Sequence, residues 1–336
     1  MVAPDLHVTF KPLTAALSRL PGSCHPHGRG WSVAAASILE ASAAKPGNVH
    51  PAVEFPDLTH AELVAAGIAI APAMEKAAEV PLGQTVLAAV TAARSVTRSN
   101  ANLGIVLAIA PLAAVPDPPA TANGQPRMGR SALPGSPSPA AVAAVLARLT
   151  PADAADVWQA IRLAQPGGMG ESGRHDLTGP PPADLLEAMR LAAPRDAIAR
   201  LWVDGYDALY AGLVADLLAA LGSGLTLHDA IVDAFLAQLA REPDSLIARK
   251  HGLPVALEVS RLAAAARAAP QTIPAFDCFL RSPRRLNPGT TADLTAAALY
   301  ILIRDGRLLF DTTSPWSSSP VGSAPSPNDC ENHSTS

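Results

Sequence analysis

Aromatic residues are scarce: six Phe, four Trp and three Tyr make up 4% of a 336-residue chain. Sheets are packed largely by aromatic and β-branched side chains, so this shortage argues against a β-rich fold. Charge is also thin, at 16% of residues, with a formal net charge of −4 and a pI of about 6.1. No strongly basic face is indicated, which argues against a nucleic-acid partner. The three cysteines, Cys24, Cys278 and Cys330, stand far apart with no CxxC pair, and the nine histidines show no HExxH spacing. That set offers no structural zinc site and suits a reducing compartment. The most apolar run, residues 103–115, is interrupted by Pro111 and is too short to span a bilayer. The N-terminal stretch lacks the continuous apolar core of a signal peptide. A cytoplasmic protein with no membrane partner is therefore expected, and nothing in the sequence sets its oligomeric state.

What is abundant is alanine and leucine, within a hydrophobic content of 49% and a mean hydropathy of +0.21. Both are strong helix formers. Composition and periodicity together predict an all-α protein, a single globular domain of about ten to twelve helices with no convincing strand. Val33, Ala34, Ser37, Ile38 and Ala41 share one helical stripe that should end before Lys45-Pro46-Gly47. A long helix follows to about residue 80, with Pro72 expected to kink or split it. Further helices are expected over 84–98, from 103 onward, and over 139–149, 151–164, 184–193 and 195–221. Three more are placed around Leu227 to Leu239, over 254–268 and over 291–304. Residues 1–30 read as a loose arm, 31–311 as the catalytic domain and 312–336 as a disordered tail. Within the domain, 116–138 is a Pro/Gly/Ser-rich insert without periodicity.

The helices are bland; the unusual residues lie between them, where binding groups are usually carried. Five segments stand out. They are Lys45-Pro46-Gly47-Asn48-Val49-His50, Ser99-Asn100-Ala101-Asn102-Leu103-Gly104, Gly167-Gly168-Met169-Gly170-Glu171, Asp244 to Gly252, and Leu286 to Leu294. Asn100 and Asn102 precede a helix whose free N–H groups and dipole favour an anion, and Asn287-Pro288-Gly289-Thr290-Thr291 opens another. Lys45, Arg249 and Lys250 could bring positive charge to phosphates. Asp244, Glu171, Asp176 and Asp196 could hold a hydrated Mg2+ bridging those phosphates. Each segment also has a plainer reading. Asn and Thr at helix starts are ordinary caps, Lys-Pro-Gly is a common helix stop, and Arg249-Lys250-His251 alone is a solvated charge run.

Taken in order, KPGNVH, the Asn turn before an apolar helix, GGMGE, DSLIARKHG and NPGTTADL resemble the motif series of the triphosphoribosyl-dephospho-CoA synthase family over about residues 31–304. The most specific piece is Pro288 to Leu294, similar to the family's PGG(S/T)ADL. Two segments depart from the family pattern. Asn48-Val49-His50 stands where members tend to have Leu-Val-Asp, and Asn100-Ala101-Asn102-Leu103-Gly104 stands where they have Asn-Thr-His-Lys/Arg-Gly.

The resemblance implies an all-α enzyme that converts ATP and 3′-dephospho-CoA to 2′-(5″-triphosphoribosyl)-3′-dephospho-CoA and adenine. A hydroxyl attacks the ribose anomeric carbon as adenine departs, so oxocarbenium-like charge develops and a nearby carboxylate would stabilise it. A general base would take the hydroxyl proton. Glu171 and Asp176 are the candidates for the carboxylate roles, with His50 as a candidate base. Lys45, Asn48, Asn100, Asn102, Gly104, Asp244, Ser245, Lys250, Asn287 and Thr290 are candidates for binding the nucleotide. ATP is the expected substrate and Mg2+ its companion, with Asp244 and Asp196 as candidate metal ligands. Two other readings are open: a related nucleotide-dependent transfer in another cofactor pathway, such as one-carbon metabolism, and a non-catalytic helical binding protein. The last predicts polar loops scattered over the surface instead of meeting in one cleft.

Overall fold

Alanine-rich faces let helices approach closely, and the described residues fold almost wholly into them. The computed structural model describes residues 6–9, 28–97, 102–117, 137–164 and 179–311. Glu171, Asp176 and Asn100 lie outside the described residues, as do most of the 116–138 insert and all of 312–336. The first half contains α1 (Arg29–Ser42), α2 (His60–Ala69), α3 (Ala71–Glu75), α4 (Leu82–Val96), α5 (Leu103–Ala113), α6 (Pro139–Leu146) and α7 (Pro151–Ala164). The second begins with α8 (Leu185–Ala192), α9 (Ala197–Asp204) and α10. The last runs from Asp207–Leu209 through one π turn, Tyr210–Val214, into Ala215–Gly222. It ends with α11 (Leu227–Arg241), α12 (Ser245–His251), α13 (Leu253–Ala268), α14 (Ile273–Arg281) and α15 (Gly289–Arg304). The fold is all-α, as the composition implies, with slightly more helices than the ten to twelve expected. A two-stranded parallel ribbon, Leu6–Thr9 with Leu308–Asp311, is an addition that the periodicity did not reveal.

Three helices that are apolar on nearly every face form the interior. In α15, Ala296 to Ile303 are essentially inaccessible, and α1 and α5 pack against it with buried Ala, Val, Ile and Leu. A helix apolar all round has no solvent face to offer, which places it in the core. The other helices wrap this trio with one stripe each. Pro72 sits in the first turn of α3 and splits the segment read as one long helix into α2 and α3. Thr59 and Glu62 cap α2 reciprocally: the Thr59 Oγ1 accepts from the Glu62 amide at 3.1 Å, and the Glu62 carboxylate accepts from the Thr59 amide at 2.9 Å. The stretch read as one helix from 195 to 221 is broken instead, because Gly205 and Tyr206 both adopt left-handed backbone (φ 67° and 72°).

Inside α5, Pro111 brings no N–H to the Leu107 carbonyl four residues back. A neighbour supplies the missing donor. Trp202 of α9 donates its Nε1–H to the Leu107 carbonyl at 2.9 Å, and the Tyr206 hydroxyl donates to the Ala108 carbonyl at 2.9 Å. All four residues are buried, so water does not compete. Among the described residues, no helix is long and apolar enough to cross a membrane. Cys278 on α14 is disulfide-bonded.

Candidate active site

Three helix starts meet around one cavity of about 310 Å³, within the size range of small-molecule sites. They are the first turns of α5, α9 and α15, contributing Leu103 and Gly104, Asp196 and Ile198, and Gly289 and Thr290 respectively. The α5 start has no side-chain cap, so its free N–H groups favour an anion there, whereas the first amides of α9 and the Thr291 amide of α15 are held by Ser245, Asp196 and Asp244. The opposite wall is apolar, with Leu58, Leu63, Trp158, Ile161, Leu185 and Met189.

The KPGNVH turn closes one edge. Gly47 takes a left-handed φ of 77°, where an added Cβ would also lie 2.9 Å from both the Leu280 and Pro288 side chains. Its amide donates to Asp277 at 2.7 Å, and Arg281 donates to the Asn48 carbonyl at 2.7 Å. The Asn48 amide then donates to Asn287 Oδ1 at 2.6 Å, joining this turn to the segment before α15. Lys45 is fully buried and turned away from the cavity. Its ammonium donates to the Glu40 and Ala43 carbonyls and pairs with the Glu40 carboxylate at 3.0 Å. Glu40, not Lys45, faces the cavity.

Asp244 joins two motifs. One oxygen caps α12 by accepting from the Leu246 and Ile247 amides, and the other accepts from the Thr291 amide and hydroxyl at 2.8 Å. Burial raises its pKa, opposed by these four donors. Ser245 accepts from the Ala197 amide at 2.9 Å and ties α12 to α9. Asp196 caps α9 through the Ile198 and Ala199 amides, and its other oxygen lies 3.3 Å from Arg249. The oxygens of both Asp244 and Asp196 are thus engaged, and among the described residues no group of three His, Cys, Asp or Glu side chains is arranged to hold a metal. These two residues, as placed, do not fit direct Mg2+ ligation.

His50 is buried beside the cavity edge but does not line it. Burial first, then the Arg281 charge, lowers its pKa to about 4, so it is neutral near pH 7. Lys250 lies outside the cavity, and its pKa is lowered by partial burial and by Arg249 and Arg285. The cavity therefore brings together Asn48, Asn102, Gly104, Asp196, Asn287 and Thr290 from the sequence candidates. It keeps Lys45, His50, Asp244, Ser245 and Lys250 behind or outside its lining.

Sequence reasoning missed Glu40, Arg195 and Asp293, which line the cavity from within helices or just before one. Asp293 belongs to the most specific motif, yet it sits one turn into α15. Its carboxylate lies so close over Gly104 that a Cβ there would be 1.9 Å from Oδ2. Its pKa is raised well above the ordinary range by burial, then by Glu40, Asp244 and Asp196, with Arg249 opposing.

Polar atoms in the lining are left without partners. Asn48 Oδ1, Asn102 Nδ2 and Arg249 Nε are buried and make no hydrogen bond. Asn102 holds a left-handed backbone (φ 72°) and does not cap α5 with its side chain. A buried unsatisfied polar group costs about 1–3 kcal/mol, and three residues of the cavity lining carry one each.

The sequence profile of the CitG family, ATP:dephospho-CoA triphosphoribosyl transferase, matches residues 29–309. The chain belongs to this family. A solved structure from Archaeoglobus fulgidus, described as a "putative triphosphoribosyl-dephospho-coA synthase", is similar, with 25% sequence identity and a TM-score of 0.55. The match covers 72% of this chain and 99% of that one. No curated protein sequence matches. As a CitG-family member the chain is a transferase of cofactor biosynthesis, and the four motif segments among the described residues meet in one cavity, unlike the scattered loops a helical scaffold would show.

Proposed function

We propose that this cavity binds ATP and 3′-dephospho-CoA and forms 2′-(5″-triphosphoribosyl)-3′-dephospho-CoA with release of adenine. The observation that carries the reading is the set of unpartnered groups at the junction of three helix starts: Asn48 Oδ1, Asn102 Nδ2 and Arg249 Nε. Two donors and an acceptor carried by lining residues of a largely apolar cavity suit a ligand with phosphate oxygens, a hydroxyl and a flat base. Arg249 and Asn102, beside the α5 and α9 starts, take the phosphates. The base lies against Trp158, Leu63 and Met189, and Asn48 and Asn287 hold ribose hydroxyls. Glu171 and Asp176 remain the proposed carboxylates at the anomeric carbon. Neutral His50 acts by shaping the KPGNVH turn. Mg2+ that arrives with ATP would supply charge neutralisation to the phosphates, and no step is assigned to it.

Purified protein incubated with ATP and Mg2+, with and without dephospho-CoA, tests the reading when free adenine is followed by chromatography. Adenine formed only with dephospho-CoA is the expected result. No adenine, even while ATP raises the melting temperature, would move the site to a nucleotide-dependent transfer with another acceptor.

A further inference from the structure

Three carboxylates line the cavity, and two of them are already committed. Glu40 pairs with Lys45 at 3.0 Å. Asp196 caps α9 and faces Arg249. Asp293 makes no hydrogen bond or ion pair with any described residue, although it faces the same cavity. Its position is set on both sides. It lies on α15, whose first turn is fastened to Asp244 through Thr291, and its carboxylate rests over Gly104, where no side-chain carbon fits. The two motifs that converge here are 189 residues apart (293 minus 104). Close by are the cavity's unpartnered donors Asn102 Nδ2 and Arg249 Nε.

We infer that Asp293 is the general base of the transfer, accepting the proton of the acceptor hydroxyl as it attacks the ribose. The assignment rests on the triphosphoribosyl reading of the cavity. In the step, the hydroxyl oxygen forms a bond to the anomeric carbon and the bond from that carbon to adenine breaks, its electron pair leaving with the base. The hydroxyl proton passes to the Asp293 carboxylate, which releases it to water as water protonates the departing adenine, so adenine leaves neutral and the carboxylate is regenerated. No oxidant or further reactant is needed.

The surroundings suit this role. The charged groups facing Asp293 are Glu40 on α1, Asp196 before α9, Asp244 before α12 and Arg249 on α12. Burial and the three carboxylates raise its proton affinity above that of an ordinary aspartate, while Arg249 opposes them. A carboxylate with raised affinity is a better proton acceptor near neutral pH.

The test follows adenine release by the full chain with ATP and dephospho-CoA, from about pH 5 to 9, for wild type, Asp293→Asn and Asp196→Asn. Loss of the base lowers kcat by about 100-fold or more, with KM for ATP changed by less than about threefold. The wild-type rate should fall on the acid side as Asp293 becomes protonated. Asp196→Asn keeps a capping side chain but removes one repelling charge and frees Arg249, so that acid limb should move to lower pH. A merely structural residue would not move it. An Asp293→Asn protein with near-wild-type kcat, or an acid limb unmoved by Asp196→Asn, overturns the assignment. Should Asp293→Asn fail to fold by circular dichroism, the limb shift decides alone. A wild type that releases no adenine with dephospho-CoA sinks the parent reading and the assignment with it, a result distinct from an active wild type with an indifferent variant.

Discussion

The donor that Trp202 lends to α5 makes a sharp prediction. The Leu107 carbonyl lacks its helical partner because residue 111 is proline, and the Trp202 indole bonds to it at 2.9 Å. Trp202→Phe removes that donor while keeping a ring in the site. Leu107 is 8% and Trp202 2% exposed, so the abandoned carbonyl finds no water. The expected cost is about 1–3 kcal/mol for the orphaned acceptor, plus a smaller packing loss from the missing ring. Pro111→Ala restores an N–H four residues after Leu107. In that background the carbonyl has a helical donor again, so Trp202→Phe should cost only the packing part. The double-mutant cycle should therefore show a coupling of about 1–2 kcal/mol. Urea denaturation, with midpoint and slope compared across the four proteins, measures it. Equal costs of Trp202→Phe in the two backgrounds, within about 0.5 kcal/mol, would refute the argument.

Two other perturbations test the interior beside the cavity. Lys45→Met leaves the buried Glu40 carboxylate without its ammonium and should destabilise by about 3–5 kcal/mol, whereas Lys45→Met with Glu40→Leu should recover most of that. A double variant as unstable as the single one would show that the pair is not what matters. His50 has a folded pKa of about 4 against an ordinary 6.5. As pH falls below 6.5 the unfolded chain takes up this proton before the folded one does, so the stabilisation is complete above 6.5 and shrinks toward pH 4. At pH 5 the loss from this residue is about 2 kcal/mol. His50→Gln should flatten the stability curve between pH 7 and 5 by that amount, measured in urea, and an unchanged slope would show that His50 is not responsible.

The helices were legible where apolar periodicity ran long and its ends were marked. Residues 151–164 match α7 at both ends, and 254–268 and 291–304 miss α13 and α15 only at their first turns. Short helices hid. Seven-residue α12 passed for a loop, although Asp244 before it and Arg249, Lys250 and His251 at its end were signals of a start and a stop. The long 195–221 segment concealed a break because Tyr206 was not a residue to suspect of left-handed backbone. At the site, the loop motifs were the right places to look, and Asn48, Asn102 and Asn287 do face the cavity. Residue type alone misjudged Lys45 and Asp244. A lysine and an aspartate in binding motifs look like ligand contacts, but here one is spent on a buried pair and the other on four internal donors. Asp293 was within sight in NPGTTADL, and attention to loops passed over a helical position.

The bonds around the polar wall run nearly in a ring. Asn48 holds Asn287, Thr291 holds Asp244, Ser245 holds Ala197, and Trp202 and Tyr206 hold α5. Five segments scattered over most of the chain are thereby locked into one frame before any ligand arrives. Binding then spends little on ordering that frame. The apolar wall from α2, α7 and α8 is held to it at its ends, by Arg200 of α9 on the Ala193 carbonyl after α8 and by Arg285 on Asp57 before α2, while its side chains facing the cavity are apolar. Differences in the apolar part of a ligand would accordingly be met by side-chain shifts of that wall, while the frame keeps the polar lining in register.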